Sequence, residues 1–352
     1  MATSISRERI RERIVQLCRT DAPARQLRVA VLDELRRMMG FDAYVFVLTD
    51  PHTCVGSDPL ADVPMLDELP RLIRLKYVTT VNRWTTLTER PVALLHEGTG
   101  ERREQSLLWR DVLGPAGFFD VASMAFHDRF GCWAFLDLWR ADPAAAFTRA
   151  DAHFLTTIVP PVTAALRRCQ AATFTAHHTD IGRRTPLVLL LSPDLTIRAQ
   201  TPETHDYLRR LLPPPPERSP IPAAAYNVAA QLLATEAGID DHPPSASVHL
   251  AHGVWVTLRA ARIGDSCPED RGDIAVTIEY TSSAERLDIF GRAFGLSTRE
   301  AGLLRVLADG ADTRQAGSRM HLSEHTVQDH LKSIFDKTGT RSRRELLARA
   351  IG

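Results

Sequence analysis

A short run near the C-terminus carries polar side chains at helical spacing. His325, Asp329 and Lys332 recur every three or four residues, so on a helix they share one face, and Gln328 lies on its flank. Glutamine can form two hydrogen bonds with an adenine edge, aspartate can accept one from the cytosine amino group, and lysine can donate to guanine or to phosphate. The chemistry that this face offers is therefore hydrogen bonding to base edges in a DNA groove.

Further residues extend the candidate contact surface. Ser323 is an N-cap residue, and the free backbone N–H groups at the helix start suit a phosphate. Thr326 and Ser333 lie on the flanks of the polar face, and Arg314 on the preceding helix can donate to phosphate. The predicted DNA-contact residues are Arg314, Ser323, His325, Thr326, Gln328, Asp329, Lys332 and Ser333.

The other edge of the same segment is aliphatic. Val327, Leu331 and Ile334 stand at i, i+4 and i+7, which predicts a buried stripe that fixes the direction of the polar face. Leu322 and Ser323 leave a turn of three or four residues after the preceding helix, which is helix-turn-helix spacing. The sequence therefore predicts a helix that packs by one edge and presents the opposite edge to DNA.

Local signals place three more helices between residues 296 and 352. Ser297 to Glu300 and Ser342 to Glu345 are S-x-x-E capping boxes, and Asp312 to Gln315 is an equivalent box. Gly310 and Gly339 are positioned to end the preceding helices. We expect a domain of four short helices.

At this point the residues resemble a known family. The chain carries LSTRE at 296–300, LSEHTVQDHLKSIFDKTG at 322–339 and RSRRE at 341–345, in that order. Together they resemble the LuxR-type DNA-binding domain over about 57 residues. The resemblance implies a four-helix fold whose third helix enters the major groove. It also implies a homodimer on inverted-repeat sites, with double-stranded DNA as partner and RNA polymerase as a further candidate partner.

Several positions depart from the residues common in that family. Gln328 stands where a lysine is common, and the next residue, Asp329, would be repelled by a phosphate. Gly302 replaces a common glutamate, and Ala316-Gly317 replaces Ile-Ala, so the first two helices are expected to lose a salt-bridge partner and core volume. We expect an unusual base preference and a less stable domain.

Composition limits the class of protein. With 352 residues, 44% hydrophobic and 24% charged, the chain predicts a soluble globular protein of two or three domains. It has no apolar run of about 18 residues, and its N-terminus is charged at once, so we expect neither a membrane span nor a secretory signal, and a cytoplasmic protein. Five scattered cysteines without a Cys-x-x-Cys pair disfavour zinc fingers and disulfide scaffolds. Residues 291–352 hold eleven Lys/Arg against seven Asp/Glu, which places positive charge at the C-terminus.

The front of the chain predicts mixed α and β structure. Ile10, Ile14 and Leu17 form an apolar stripe, either for core packing or for a dimerising coiled-coil stub. A strand at 42–49, a hairpin of strands 121–127 and 132–139, and a helix at about 148–168 suggest one antiparallel sheet covered by helices.

The next block predicts a second sheet. We expect strands at 186–191, 195–199, 247–251, 255–262 and 274–280, with helices at 203–212 and 222–236 between the second and third strands. By the order of their elements, the two blocks resemble GAF and PAS domains. The predicted fold is thus multidomain α+β, with GAF-like and PAS-like sensor modules before an all-α domain. Its domains are an N-terminal helix at 1–19, a GAF-like domain at 20–170, a PAS-like domain at 185–281, a connector helix at 282–295 and the LuxR-type helix-turn-helix domain at 296–352.

Aromatic residues are the candidates for lining a small-molecule pocket in these modules, although aromatic residues on strands also serve as ordinary core. Those candidates are Phe46, Trp84, Trp109, Trp133, Tyr226 and Trp255. His177-His178 with Asp180 is a poor metal site because adjacent side chains diverge. We identify no cofactor, no metal site and no catalytic constellation, so we predict no enzyme.

Two hypotheses remain from this sequence. The first is a sequence-specific transcription regulator that acts as a dimer, as the resemblance implies, and whose front modules sense an unknown signal. The second is a ligand-sensing or protein-interaction module whose helix-turn-helix no longer binds DNA, suggested by the acidic side chains of Asp329 and Asp336 on the exposed face.

Overall fold

The structure, a computed structural model, has a mixed α+β fold with two antiparallel sheets and a C-terminal helical region. It describes residues 2–100, 102–174, 187–204, 222–250, 253–264 and 272–352. The chain forms two compact units. Unit 1 holds residues 1–166, 185–248 and 257–279, and unit 2 holds residues 167–184, 249–256 and 280–352. Every helix among the described residues is too short or too polar to serve as a membrane span.

The first sheet has five antiparallel strands in the order β2-β1-β5-β4-β3. They are β1 Ala43–Thr49, β2 Gly56–Asp62, β3 Val92–Leu94, β4 Asp120–Asp128 and β5 Gly131–Arg140. The predicted first strand and the predicted hairpin are confirmed. Gly131, at φ 151°, begins β5, and a Cβ there would lie 2.3 Å from the Pro51 carbonyl oxygen, so close packing also requires glycine.

Two strands of this sheet were not predicted. β2 contains Asp58, Pro59 and Asp62, which are poor strand formers, but it lies at the sheet edge, where a proline is tolerated. β3 has three residues and lies at the other edge, too short to produce an alternating pattern. Tertiary pairing, rather than local propensity, creates both strands.

Helices flank the first sheet. They are α1 Ala2–Leu17, α2 Ala24–Met39, α3 Leu69–Val78, α4 Leu95–Gly98 and α5 Arg149–Ala172. Ile10 and Ile14 are buried as α1 packs against α2, which is the core-packing alternative for the N-terminal stripe. α5 begins where predicted and continues through Pro160 and Pro161.

The second sheet also has five strands, in the order β7-β6-β10-β9-β8. They are β6 Leu187–Leu191, β7 Ile197–Gln200, β8 Ser245–His249, β9 Trp255–Arg262 and β10 Ile274–Tyr280, close to the predicted ranges. The predicted helix at 222–236 is α6 Ala223–Glu236, whereas most of the predicted helix at 203–212 lies outside the described residues. Within unit 1, α6 packs against α3 and β2, so the second block covers part of the first sheet.

Five helices form the C-terminal region. They are α7 Ser283–Ala293, α8 Thr298–Ala308, α9 Thr313–Met320, α10 Glu324–Thr338 and α11 Arg343–Ile351. A helix was predicted at 282–295, and α7 lies there, with a complete capping box between Ser282 and Glu285 at its start. The last four helices bury a common aliphatic core that includes Leu303, Leu307, Val327, Leu331, Ile334 and Leu346.

Two glycines in this region differ in the space around them. At Gly302 in α8, a Cβ would lie 3.6 Å from the Met320 side chain, which is ordinary contact. At Gly317 in α9, a Cβ would lie 2.8 Å from the Leu322 carbonyl oxygen, and Leu322 donates its N–H to the Gly317 carbonyl at 2.8 Å. Gly317 is therefore required by the tight turn that follows α9, whereas Gly302 only weakens its helix.

We expect opposite effects from alanine at these two sites. Gly302→Ala should raise the free energy of unfolding by about 0.5–1 kcal/mol, because helix-interior glycine carries that entropic cost. Gly317→Ala should lower it by about 1–3 kcal/mol, because the added methyl group forces the turn apart. Urea unfolding followed by circular dichroism measures both, and equal effects of the two variants would contradict the packing described.

Candidate DNA-binding face

Side-chain caps set the starts of the C-terminal helices. Ser297 with Glu300 and Asp312 with Gln315 form complete capping boxes before α8 and α9, as predicted. The predicted box at the start of α11 is only half formed. Ser342 accepts a hydrogen bond from the Glu345 backbone N–H, but the Glu345 carboxylate accepts from the Arg341 N–H instead. The carboxylate thus satisfies a donor one residue earlier.

The turn between α9 and α10 has helix-turn-helix geometry. α9 ends at Met320, and His321 adopts a left-handed conformation at φ 56°. The Ser323 hydroxyl then caps α10 by accepting a hydrogen bond from the Thr326 N–H at 3.1 Å. Because this turn is fixed by backbone and side-chain hydrogen bonds, the direction in which α10 leaves α9 is fixed as well.

The buried and exposed edges of α10 are those predicted from the sequence. Val327 and Ile334 are fully buried and Leu331 is nearly so, which confirms the aliphatic stripe. His325, Gln328, Asp329 and Lys332 are exposed on the other side. The helix therefore packs by one edge and leaves a polar face in solvent over its first half.

The exposed side chains have few partners within the protein. His325 Nε2 lies 3.7 Å from Asp329 Oδ2, an ion pair only when the imidazole is protonated. Gln328 Nε2 reaches Thr313 Oγ1 at a long 3.5 Å. Both contacts lie at the solvent surface, where such interactions contribute little and exchange easily with another hydrogen-bonding partner. The polar ends of these side chains are therefore accessible to a ligand.

Three further predicted contact residues lie around this face. Arg314 is exposed on α9, and Ser323 is exposed at the start of α10. Thr326 is half-buried, and its hydroxyl lies 2.8 Å from the Ser323 hydroxyl. These residues lie beside the N-terminus of α10, where the first backbone N–H groups and the positive end of the helix dipole favour an anion.

Ser333 points into the domain rather than toward solvent. Its hydroxyl donates to Glu300 Oε1 at 2.6 Å, and Lys337 Nζ lies 2.6 Å from Glu300 Oε2. Glu300 is buried in α8, so this cluster ties α10 to α8 across the domain. The sequence analysis assigned Glu300 only to a capping box. A carboxylate that both caps its own helix and accepts from two side chains of α10 is visible only in three dimensions.

The electrostatics of Glu300 reflect these contacts. Burial acts to raise the pKa of Glu300, but hydrogen bonds from Lys337, Ser333 and Ser297 outweigh burial and hold the pKa at about 2. The carboxylate is therefore ionised at neutral pH and stabilises the domain only while it remains so.

All six aromatic pocket candidates make packing contacts, and Trp84 stacks on Phe135. Phe46 stacks on Phe126, and the Trp109 and Trp133 indoles donate to Phe118 O at 3.0 Å and Asp128 Oδ1 at 3.1 Å. Tyr226 is buried in α6, and Trp255 stacks on Phe174 within unit 2.

Trp84 is the candidate that lines a cavity. The cavity lies in unit 1, has a volume of about 180 Å3, and is bounded by β1, β2, α3 and α6. Its lining is mostly aliphatic, with Ala223 and Asn227 of α6 forming part of the wall. An apolar cavity of this size can hold a small hydrophobic molecule.

A buried ion pair lies at the edge of this cavity, and the sequence analysis missed it. Lys76 Nζ lies 2.9 Å from Asp137 Oδ2, and the Trp84 indole donates to Asp137 Oδ1 at 2.8 Å. Burial lowers the pKa of Lys76, and Asp137 opposes that shift. A lysine on the buried face of a helix, with no acid within four residues of it, was the available signal.

Three possible metal ligands lie close together among the described residues. They are Asp240, Asp241 and His242, of which Asp241 is exposed and His242 is half-buried. His177, His178 and Asp180, considered from the sequence, lie outside the described residues.

We expect Glu300→Gln to lower the free energy of unfolding by about 1–3 kcal/mol at pH 7, because it removes a charged acceptor from two donors. Because the folded pKa lies below the usual value of 4.5, the contribution of Glu300 is complete above that pH and declines as the pH falls toward about 2. Urea unfolding at pH 7 and pH 3 should therefore show a smaller difference at the lower pH. Glu345→Gln is the control, and an effect at that exposed cap as large as at Glu300 would contradict the special role of Glu300.

Comparison with known proteins agrees with this geometry. Residues 295–350 match the family described as "Bacterial regulatory proteins, luxR family". A relative named "Probable HTH-type transcriptional regulator GfsR", from Streptomyces halstedii, is 31% identical over 124 residues. That match covers 31% of this chain and 48% of the relative, so the chain spans about half the length of this relative. The C-terminal region of the chain is a LuxR-family helix-turn-helix domain.

Proposed function

We propose that this protein is a sequence-specific transcription regulator, in which α10 enters the major groove of double-stranded DNA. The observation that carries the proposal is the phase of α10. Its aliphatic edge is buried and its polar edge is exposed, within a region that matches the luxR family. The major groove is wide enough to admit a helix presented in this way.

Within this proposal the contact residues have two roles. His325, Gln328 and Asp329 face base edges and set sequence preference, and Lys332 binds guanine or phosphate. Arg314, Ser323 and Thr326 lie where they can position the backbone of the duplex. Ser333, which was predicted as a direct contact, supports the face by hydrogen bonding to Glu300.

The front of the chain is proposed to act as the sensor. Two antiparallel sheets with covering helices support a GAF-like module followed by a PAS-like module, and the helix α7 connects them to the DNA-binding domain. We further propose a homodimer that binds an inverted-repeat site in the cytoplasm and contacts RNA polymerase, as the family resemblance implies. No enzymatic step is part of this proposal.

The alternative function is a protein-interaction module that does not bind DNA. The exposed carboxylates of Asp329 and Asp336 favour it, because acids are repelled by phosphate. The exposed Arg314 and Lys332 beside them favour DNA. Selection from a random duplex library separates the two functions.

Selection from a random duplex library at about 0.15 M salt should enrich particular sequences. On an enriched duplex, the triple variant Gln328→Ala, Asp329→Ala, Lys332→Ala should lose at least tenfold in affinity, since each base contact is worth about 1–3 kcal/mol. Lys332→Ala alone should weaken binding to all sequences and reduce the salt slope by about 1.

Arg305→Ala is the charge-matched control for Lys332→Ala. Arg305 is also exposed, but it lies on α8 and pairs with Asp288 at 3.2 Å. Its replacement should change affinity less than twofold. Enrichment of no sequence, or unchanged binding by the triple variant, would favour the protein-interaction alternative.

We also propose that the unit 1 cavity receives the sensed molecule, a small apolar compound. Benzene serves as the probe, and at ten times its dissociation constant it should raise the free energy of unfolding by about 1.4 kcal/mol. Ala223→Leu fills the cavity and should abolish this stabilisation, whereas Ala144→Leu, at an exposed site, should not. Equal benzene stabilisation of both variants would place the binding site elsewhere.

A further inference from the structure

Two cysteines far apart in sequence meet in unit 1. Cys132 is the second residue of β5, and its backbone N–H donates to Pro51 O at 3.2 Å while its carbonyl accepts from Thr49 Oγ1 at 2.7 Å. These bonds hold Cys132 against the loop that carries Cys54. Each thiol influences the pKa of the other, so the two side chains lie close together. The fold therefore brings two reduced cysteines into one small region of unit 1.

The loop that carries Cys54 is tightly held. Cys54 adopts a left-handed backbone at φ 58°, a conformation that costs a non-glycine residue energy, and donates its N–H to Asp50 O at 2.9 Å. The Asp50 carboxylate accepts from the backbone N–H groups of His52 at 2.8 Å and Ser247 at 2.8 Å. Thr53 Oγ1 donates to Ser245 O at 2.6 Å. The position of the Cys54 sulfur is thus determined by the surrounding fold.

A histidine and an aspartate complete the cluster. His242 lies close enough to Cys54 to lower the pKa of its thiol, and His242 Nδ1 lies 2.6 Å from Asp240 Oδ1. Asp240 is itself held by Thr85 Oγ1 at 2.6 Å and Gln231 Nε2 at 3.2 Å. Asp240 therefore orients the imidazole toward the sulfur, as in other sites where a histidine activates a nucleophile.

The charges of the cluster favour a thiolate. The hydrogen bond from Cys132, together with that from His242 and against the effect of burial, lowers the pKa of Cys54 to about 5. The hydrogen bond with Asp240 and the interaction with Cys54 raise the pKa of His242 to about 10. At neutral pH the pair is thiolate and imidazolium. The thiolate is the form of cysteine that reacts with peroxides.

Exposure assigns different roles to the two sulfur atoms. Cys54 is half-buried and Cys132 is buried, so Cys54 is the more accessible of the two cysteines. Burial and its contact with Cys54 raise the pKa of Cys132, which keeps it as a neutral thiol. Cys54 is thus the reactive cysteine, and Cys132 is its buried neighbour.

We propose that Cys54 is a peroxide-reactive site and that Cys132 captures its oxidised form as a disulfide. This site goes beyond the proposed DNA-binding function and does not depend on it. None of the predicted DNA-contact residues takes part.

Hydrogen peroxide is the oxidant in the first step. The Cys54 sulfur attacks one peroxide oxygen, so that an S–O bond forms and the O–O bond breaks, and the leaving hydroxide takes a proton from His242 to become water. The Cys132 sulfur then attacks the Cys54 sulfur. The S–S bond forms, the S–O bond breaks, and the leaving hydroxide combines with the Cys132 proton. One peroxide is reduced to two waters and two thiols are oxidised to one disulfide.

A metal site is a weaker interpretation of the same residues. Among the described residues, the group whose ligand atoms lie within 4.8 Å of one another contains Asp240, Asp241 and His242, and neither cysteine belongs to it. The two sulfur atoms therefore do not converge with the imidazole and the carboxylates on one point. That arrangement suits sulfur–sulfur chemistry better than metal coordination.

The test treats the reduced full-length protein with hydrogen peroxide and maps disulfides by peptide mass spectrometry. We expect a peptide pair joined through Cys54 and Cys132, with one peroxide consumed for two thiols lost. In Cys132→Ser, the reaction should stop at a Cys54 sulfenic acid that dimedone traps. Cys169→Ser is the matched control, because Cys169 is also half exposed, and it should still form the Cys54–Cys132 bond.

Alkylation by iodoacetamide provides a second measurement, independent of disulfide formation. The rate at Cys54 should stay nearly constant from pH 6 to 9, whereas an ordinary thiol of pKa about 8.5 reacts faster with each pH step. His242→Gln should slow Cys54 alkylation at pH 7 about tenfold or more, because it removes the imidazolium.

Three results would overturn the proposal. They are a Cys54 thiol that peroxide leaves unmodified while Cys169 is oxidised, a Cys54 sulfenic acid that never joins Cys132, and bound zinc that protects both thiols from alkylation. Because no DNA is present in any of these measurements, a failure here leaves the proposed DNA-binding function untouched.

Discussion

Burial of three aliphatic side chains on one edge of a short helix is the constraint on which the candidate DNA-binding face depends. Val327, Leu331 and Ile334 must leave water, and a helix has no other way to bury residues at that spacing than to turn one edge inward. The opposite edge then faces solvent, where its own contacts, such as Gln328 with Thr313, are long and few. Glu300, which holds Ser333 and Lys337, keeps that orientation fixed across two helices.

Local chemistry explains why the C-terminal region was predictable to nearly single residues. Caps such as Ser297 and Asp312 act over three residues, so their pattern is complete in the sequence, and the structure reproduces both boxes. β2 was not predictable because Pro59 is accepted only at a sheet edge, and a sequence does not state which strand is the edge. Glycine at position 317, where the family commonly has alanine, was predicted to reduce the core volume. The Leu322 carbonyl, however, leaves no room for a side chain there.

Residues that meet only through topology escaped the sequence analysis. Cys54, Cys132 and His242 come from three separate stretches of chain and share no spacing rule. Lys76 and Asp137 are similar, because a helix and a strand must first pack before their charges pair. Of the six aromatic candidates, Trp84 lines the cavity of unit 1 and also packs on Phe135, so one aromatic side chain serves both as core and as cavity wall. Long-range contacts of this kind follow from the folded structure and have no pattern in the sequence.

The wall that α6 contributes to the cavity of the first sheet has a consequence for modularity. Ala223 and Asn227 close that cavity, and Gly56 of β2 leaves so little space beside Asn227 that an added Cβ would lie 2.9 Å from its amide nitrogen. The first block therefore lacks part of its interior when it is separated from the second. If either block were exchanged between related proteins, the residues on both sides of this contact would have to be exchanged together. We therefore expect the two blocks to be inherited as one piece.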